Sequence, residues 1–254
     1  MLDSTQRFST RVENYVKYRP HYPAAVLTLL AEACGLMSRS VIADIGSGTG
    51  ISAELFLANG NRVYGVEPNR EMRKAGERLL AKYPRFVSIA ATAEATALPN
   101  ASVDFVIAGQ AFHWFDRAKA RAEFLRVLKP GGWVVLMWNE RRVETTPFLR
   151  DYERMLHTYS TDYAQVDHRQ VDDAMLGAFF GPAGFQLARF ENVQRLDFEA
   201  VRGRLLSSSY APEPGHPNYE PLLAELRRIF DAGQSVGTVA FEYDTNVYWG
   251  HLRY

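Results

Sequence analysis

Short apolar runs alternate with stretches of helical periodicity along the chain from residue 41 to residue 138. Val41-Ile42-Ala43-Asp44-Ile45 is a compact apolar run ending in glycines, the pattern of a buried strand. Ser52 to Ala58 reads as a helix stopped by Asn59-Gly60. Arg62 to Glu67 reads as a second strand, and Asn69 can cap a helix running to about Lys82. Phe86 to Ala90 and Val103 to Ala108 are the third and fourth strands. Asp116 can cap a helix with Ala118, Ala122, Leu125 and Leu128 on one face, stopped at Lys129-Pro130-Gly131-Gly132. Trp133 to Trp138 is the fifth strand. Strands that are apolar on both sides, separated by helices, predict a parallel sheet covered on both faces.

The flanks are less regular. Residues 1–22 carry Phe8, Tyr15, Tyr18 and Tyr22 among charges, and the prolines of Tyr18-Arg19-Pro20-His21-Tyr22-Pro23 break any helix there. A helix follows from Pro23 to about Cys34, with Leu27, Leu30 and Ala31 on its apolar face. After residue 140, Thr146 to Tyr159 and Asp172 to Phe180 look helical. Phe185 to Phe198 and Val239 to Tyr248 look like strands, and Ser207 to Pro217 shows no period at all.

Composition narrows the partners. The 254 residues are 47% hydrophobic and 23% charged, an ordinary folded mix. Lys+Arg and Asp+Glu both number 29, so the basic excess of a nucleic-acid binder is missing. The polar start argues against a secretory signal, and no apolar run reaches the length of a membrane span. Cys34 is the only cysteine and the six histidines are scattered, so neither a disulfide nor a metal site is expected, and the expected compartment is the cytoplasm. Cys34 itself reads as an apolar packing residue with nothing basic beside it. Oligomeric state is open at this level.

The chemistry concentrates at Asp44-Ile45-Gly46-Ser47-Gly48-Thr49-Gly50, where the first strand should meet the first helix. Glycines there let the backbone approach a ligand. In open α/β sheets, ligands bind beyond the carboxyl ends of the strands. Glu67 ends the second strand about twenty residues on, where a carboxylate can accept hydrogen bonds from ribose hydroxyls. Together they imply an adenosine-containing ligand. The spacing is G-x-G-x-G, not the dinucleotide fingerprint, with Asp44 two residues before the first glycine. An acid there would repel a pyrophosphate and favour an ammonium and a sulfonium.

Val41 to Gly50, Gly65-Val66-Glu67-Pro68 and Leu128-Lys129-Pro130-Gly131-Gly132 resemble the successive motifs of class I S-adenosylmethionine-dependent methyltransferases. Tyr15-x-x-Tyr18-Arg19-Pro20-x-Tyr22-Pro23 and Gln110-Ala111-Phe112-His113-Trp114-Phe115 resemble the small-molecule branch with trans-aconitate methyltransferase-like proteins. The resemblance implies a Rossmann-like α/β fold, a mostly parallel seven-stranded sheet with helices on both faces. It implies one methyltransferase domain: an N-terminal arm and helix (1–35), a cofactor-binding core (36–140), and a substrate-side insertion with the last strands (141–254). The implied cofactor is S-adenosyl-L-methionine. The backbone of Gly46, Ser47 and Gly48 would line its methionine part, Glu67 would hold the ribose, and Pro68 would pack on the adenine. Ala93 and Glu94 would face the adenine amino group, and Gln110 and Ala111 would lie beside the sulfonium. Gly50 completes the glycine set.

His113 and Trp114 follow the fourth strand, near the expected methyl group. They read as a general base or substrate contact and as a pocket wall, against a plain helix start and a packed aromatic. Arg19, with Tyr15 and Tyr22, reads as a lid whose guanidinium clamps the methionine carboxylate, against a solvated arm. Arg141 and Arg142 follow the fifth strand and suit an acidic substrate; Trp138 and Asn139 just before them would border the pocket. The expected activity is methyl transfer to a small-molecule acceptor, a carboxylate or a hydroxyl, without nucleic-acid or membrane partners. A catalytically inactive S-adenosylmethionine-binding regulatory protein is the alternative, and a nicotinamide-dependent dehydrogenase the weaker third reading.

Overall fold

The computed structural model describes residues 12–163 and 172–253; Phe8 and the side chain of Tyr15 lie outside what it describes. In chain order the first half comprises α1 (Val12–Tyr18), α2 (Ala25–Cys34), β1 (Val41–Ile45), α3 (Ile51–Ala58), β2 (Arg62–Val66) and α4 (Arg70–Leu79). Then come β3 (Phe86–Ile89), β4 (Val103–Gly109), a 3-10 turn (Phe112–Trp114), α5 (Arg117–Val127) and β5 (Leu128–Arg141). The second half adds α6 (Pro147–Tyr159), α7 (Asp173–Phe180), β6 (Gln186–Leu196), α8 (Phe198–Leu206), α9 (Tyr219–Gly233) and β7 (Val239–Gly250).

The two expected caps form. Asn69 Oδ1 accepts the amides of Glu71 and Met72, each at 3.0 Å, and Asp116 Oδ1 accepts that of Lys119 at 3.2 Å. The seven strands make one sheet in the order β3-β2-β1-β4-β5-β7-β6. β7 runs antiparallel to both neighbours, and the other pairings are parallel. The strand order reverses between β1 and β4, which opens a crevice at their carboxyl ends. Ile45 pairs with Val66 and Gly109 with Met137, so the turns after β1, β2 and β4 leave the sheet at one edge.

Apolar layers cover both faces. Phe112, Phe124, Phe179 and Phe180 pack one side, and Val26, Leu30, Ala53 and Phe56 the other. A third cluster joins α6, α8 and α9 to the ends of β6 and β7 through Tyr152, Leu205, Leu226 and Phe241. Among the described residues, no helix is long and apolar enough to cross a membrane.

Several local expectations change. α5 buries Ala120, Phe124 and Val127, whereas Ala118 and Ala122 are exposed; the large Phe124 ring takes the core side. α2 buries Val26 and Leu30, leaving Leu27 half-buried and Ala31 exposed. Lys129 to Gly132 does not separate helix from strand. β5 begins at Leu128, and its pairing with β4 shifts between Val103 and Phe105 across that stretch. β5 also runs on to Arg141, because β7 pairs with it through Tyr243. α1, α8 and α9 are helices that periodicity did not indicate.

Candidate active site

A cavity of about 280 Å³ opens at the crevice, lined by the β1, β2 and β4 turns, the arm, the end of β5 and the start of the segment after α8. The turn after β1 is held to β2: the amides of Gly46 and Ser47 donate to the Val66 carbonyl at 2.8 and 3.2 Å. Gly46 has φ +68°, and a Cβ there would sit 2.6 Å from the Cβ of Ala111. The β1 and β4 turns therefore touch at a place where only glycine fits.

Glu67 stands at the end of β2, 8% exposed, and lines the cavity. Its Oε2 accepts the Gly48 amide at 2.9 Å and its Oε1 the Asn69 amide at 2.7 Å. Each carboxylate oxygen accepts more than one hydrogen bond, so ribose hydroxyls can add to these. Arg73 donates to the carbonyl of Glu67 at 3.0 Å and fixes this corner. Burial pushes the Glu67 carboxyl up, against the two amides that lower it.

Asp44 is fully buried and does not line the cavity, a correction to its expected contact. It lies inside β1, paired with Gly65 and Ile107, and reaches the cavity wall only through Ser52, whose hydroxyl donates to Oδ2 at 2.7 Å. Asp44 Oδ1 has no partner among the described residues. Burial first, and the charge of Glu67 as well, push its carboxyl up to about 7. The Glu67 carboxylate at this end of the crevice, with the Asp44 carboxyl behind Ser52, fits a ligand with positive charge and disfavours a pyrophosphate. The glycine turn, Glu67 and this negative end together fit S-adenosylmethionine.

The other expected cofactor residues distribute as follows. Ser47, Gly48, Pro68, Ala93 and Glu94 line the cavity, and Glu94 also accepts the Asp116 amide at 2.9 Å. Gln110, at φ +57°, and Ala111 line it too. The Gln110 side chain turns to the Asn139 carbonyl at 3.0 Å. Gly50 does not line the cavity; it starts α3 at φ +90° with Leu80 behind it.

On the acceptor side, His113 and Trp114 line the cavity with ring centroids 4.7 Å apart. Tyr22 lines it as well, packed where Gly109 and Ser52 meet. Arg141 lines it and pairs with Glu153, with Tyr163 Oη at 3.2 Å. Trp138 does not. Successive strand residues face opposite sides, so Trp138 packs in the core against Phe112 and Tyr248 while Asn139 faces the cavity. Arg142 pairs with Asp244 and Glu191, away from the cavity. Arg19 lines the cavity, but it also donates to Ser207 Oγ at 3.1 Å, the Ser207 carbonyl at 3.2 Å and Ser208 Oγ at 3.3 Å. Burial pushes the half-buried Cys34 thiol up to about 12, which disfavours its thiolate.

Sequence reasoning missed Arg204, Ser209, Tyr210 and Tyr163 as lining residues. Arg204 sits on an unpredicted helix, and Ser209 and Tyr210 lie in the aperiodic stretch after it. The available signal was polar and aromatic residues in a long stretch without repeat, a common composition for a binding segment.

The methyltransferase domain family matches residues 43–136. An uncharacterized methyltransferase-like protein of Schizosaccharomyces pombe is 32% identical over 223 residues, covering 87% of this chain and 85% of that protein. An uncharacterized methyltransferase of Mycobacterium bovis is 38% identical over 139 residues, 55% of this chain and about half (54%) of that protein. Among solved structures, a candidate type II methyltransferase from Anaeromyxobacter dehalogenans superposes with a TM-score of 0.68 at 24% identity, covering 93% of this chain and 98% of that one. A Haemonchus contortus phosphoethanolamine N-methyltransferase, solved with S-adenosylhomocysteine, superposes at 0.55 and 16% identity over 100% of this chain and 59% of its own. The fold agrees with these likenesses, and the chain belongs to the class I S-adenosylmethionine-dependent methyltransferases.

Proposed function

We propose that the chain methylates a small-molecule acceptor, a carboxylate or a hydroxyl, in the manner of the trans-aconitate methyltransferase-like branch. The observation that carries this reading is the continuity of the cavity. One space runs from the Gly46 turn and Glu67 to walls supplied by His113, Trp114, Arg141 and Tyr210. A protein that only sensed the cofactor would have no use for the second half.

The cofactor supplies an electrophilic methyl group on its sulfonium. The chain supplies position and a dry chamber. Residues 12–35 close the chamber, 36–140 hold the cofactor, and 141–163 with 172–253 shape the acceptor side. Gly46, Ser47 and Gly48 cradle the methionine part, Glu67 holds the ribose, and Pro68, Ala93 and Glu94 frame the adenine. Gln110 and Ala111 border the reacting centre. Tyr22 and Trp114 wall the acceptor. His113 takes the proton when the acceptor is a hydroxyl, and a carboxylate needs no base.

The test is a screen of acceptor classes with radiolabelled methyl donor. Label should pass to small carboxylates or alcohols. Tight cofactor binding with no transfer to any small molecule would sink the reading. His113→Ala should cut transfer to a hydroxyl by about a hundredfold or more. It should leave transfer to a carboxylate nearly unchanged.

A further inference from the structure

Among the described residues, Arg204 in the cavity wall has no carboxylate partner. Arg204, on α8, is 5% exposed and lines the cavity. Its Nε donates to Tyr243 Oη at 2.6 Å, and its guanidinium lies over the rings of Phe241 and Tyr243 at 4.8 and 5.4 Å. Its Nη1 is buried with no hydrogen-bond partner among the described residues. Arg141, in the same cavity wall, is paired with Glu153, yet its Nη1 is also buried and unpartnered. The buried phenol of Tyr152, within electrostatic reach of both guanidiniums, has no partner either. Among the described residues, these two guanidiniums share one carboxylate partner, Glu153, so at their end of the cavity one positive charge has no paired acid.

A guanidinium cannot escape this by losing its proton. Burying an unpaired charge is strongly unfavourable, and packing alone would be served better by Met or Leu. A surplus of one charge suits a carboxylate rather than a phosphate dianion, and the planar fork suits carboxylate geometry. We propose that Arg204, with Arg141, anchors a carboxylate of the acceptor that is not itself methylated. Guanidinium hydrogen bonds spread the charge of the oxygens they hold and make them poorer nucleophiles. The acceptor therefore carries this carboxylate in addition to its methylated atom, which rests on the small-molecule reading above.

The experiment uses the full chain loaded with S-adenosylhomocysteine. It is titrated calorimetrically with the dicarboxylates from malonate to adipate, with their neutral diamides, and with inorganic phosphate. At least one dicarboxylate should bind tenfold or more tightly than its diamide, and more tightly than phosphate. Arg204→Met should abolish that preference and leave S-adenosylhomocysteine affinity unchanged. It should also melt no lower than the wild type, because an unpaired buried charge is gone and Tyr243 keeps its bond to Gln194. If no dicarboxylate outbinds its diamide in the wild type, the proposal falls whatever the variants do. A preference for phosphate overturns the carboxylate assignment. Retained dicarboxylate binding in Arg204→Met, or in Arg204→Gln should the first variant not fold, makes Arg204 structural and overturns it. Loss of S-adenosylhomocysteine binding by the wild type would instead count against methyl transfer itself.

Discussion

The Oε2 of Glu67 accepts the amide of Gly48 at 2.9 Å, so the carboxylate that ends β2 also holds the turn that ends β1. Its place in the cofactor site is thus double. In the proposed function it would offer lone pairs to the ribose, and it keeps the glycine turn in shape. Glu67→Ala should weaken S-adenosylmethionine binding by at least about tenfold, since charge-assisted hydrogen bonds contribute about 1.5–3 kcal/mol each. Glu67→Gln should do nearly as badly, because one of its two terminal atoms becomes a donor facing an amide. Calorimetric titration reads both, and an unchanged affinity in either variant removes Glu67 as the anchor.

Asp44 should make stability depend on pH. Its carboxyl is raised from 3.8 to about 7, so the folded chain holds that proton more tightly than the unfolded chain does. The associated stability is fully present below about pH 4 and is lost as pH rises through about 7. Asp44→Asn is neutral at every pH and should lack this loss. Urea melts at pH 5 and pH 8 should show a larger drop for the wild type than for Asp44→Asn. Equal drops would mean that Asp44 ionises freely in the fold.

Glu123 on α5 works in the opposite sense. Its Oε1 accepts both the amide and the hydroxyl of Thr96, at 2.7 and 2.6 Å, and so pins the loop that carries Ala93 and Glu94. The Arg126 guanidinium, then the Thr96 donors, hold its carboxyl down at about 2. This stability is present above the ordinary value of 4.5 and is lost as pH falls through about 2. Glu123→Ala should cost about 2–4 kcal/mol, because it strands the buried Thr96 donors. It should also weaken cofactor binding several-fold, although Glu123 does not line the cavity. A denaturant melt and a titration check the two effects separately.

The arm can be tested through Gly203. A Cβ on Gly203 would lie 2.0 Å from the ring of Tyr18, so α1 docks on α8 where that helix has no side chain. Gly203→Ala should push α1 off, at a cost of about 1–3 kcal/mol for overpacking. Amide exchange over residues 12–22 should then speed up while the sheet amides stay protected. In the wild type, cofactor should slow exchange in the same segment if the arm is a lid. Equal exchange with and without cofactor would make it a fixed wall.

The nucleotide half was legible because local signals agree there. The apolar run at Val41, the glycines after it, the Asn69 cap and Glu67 each point to the same strand–turn–helix order. The acceptor half was not legible, because its residues are joined by long-range contacts. Arg204 meets Tyr243, 39 residues away, and nothing near Arg204 announces that pairing. Trp138 shows how a boundary error propagates. Taken as the end of β5 it belongs in the pocket; with β5 continuing to Arg141 it faces the core instead. Asp44 was placed in the right region but one layer too near the ligand, since spacing does not show that Ser52 stands between.

The amide of Asn139 is a junction. Its Nδ2 donates to the carbonyls of Pro20 and His21 at 3.3 and 3.4 Å, while its Oδ1 accepts from Thr245 at 2.5 Å and Asn192 at 3.2 Å. Asn192 in turn donates to the His21 carbonyl at 2.7 Å. Strands β5, β6 and β7 thus share one polar knot with the start of the chain, and Arg19 ties that start to the end of α8. Cutting the chain after residue 22 would leave the buried Nδ2 of Asn139 without its two acceptors, remove the shortest hydrogen bond of Asn192, and uncover the crevice beside Gly109. The first described residues serve the domain as a keystone serves an arch: they are small in mass, and the two sides lean on them.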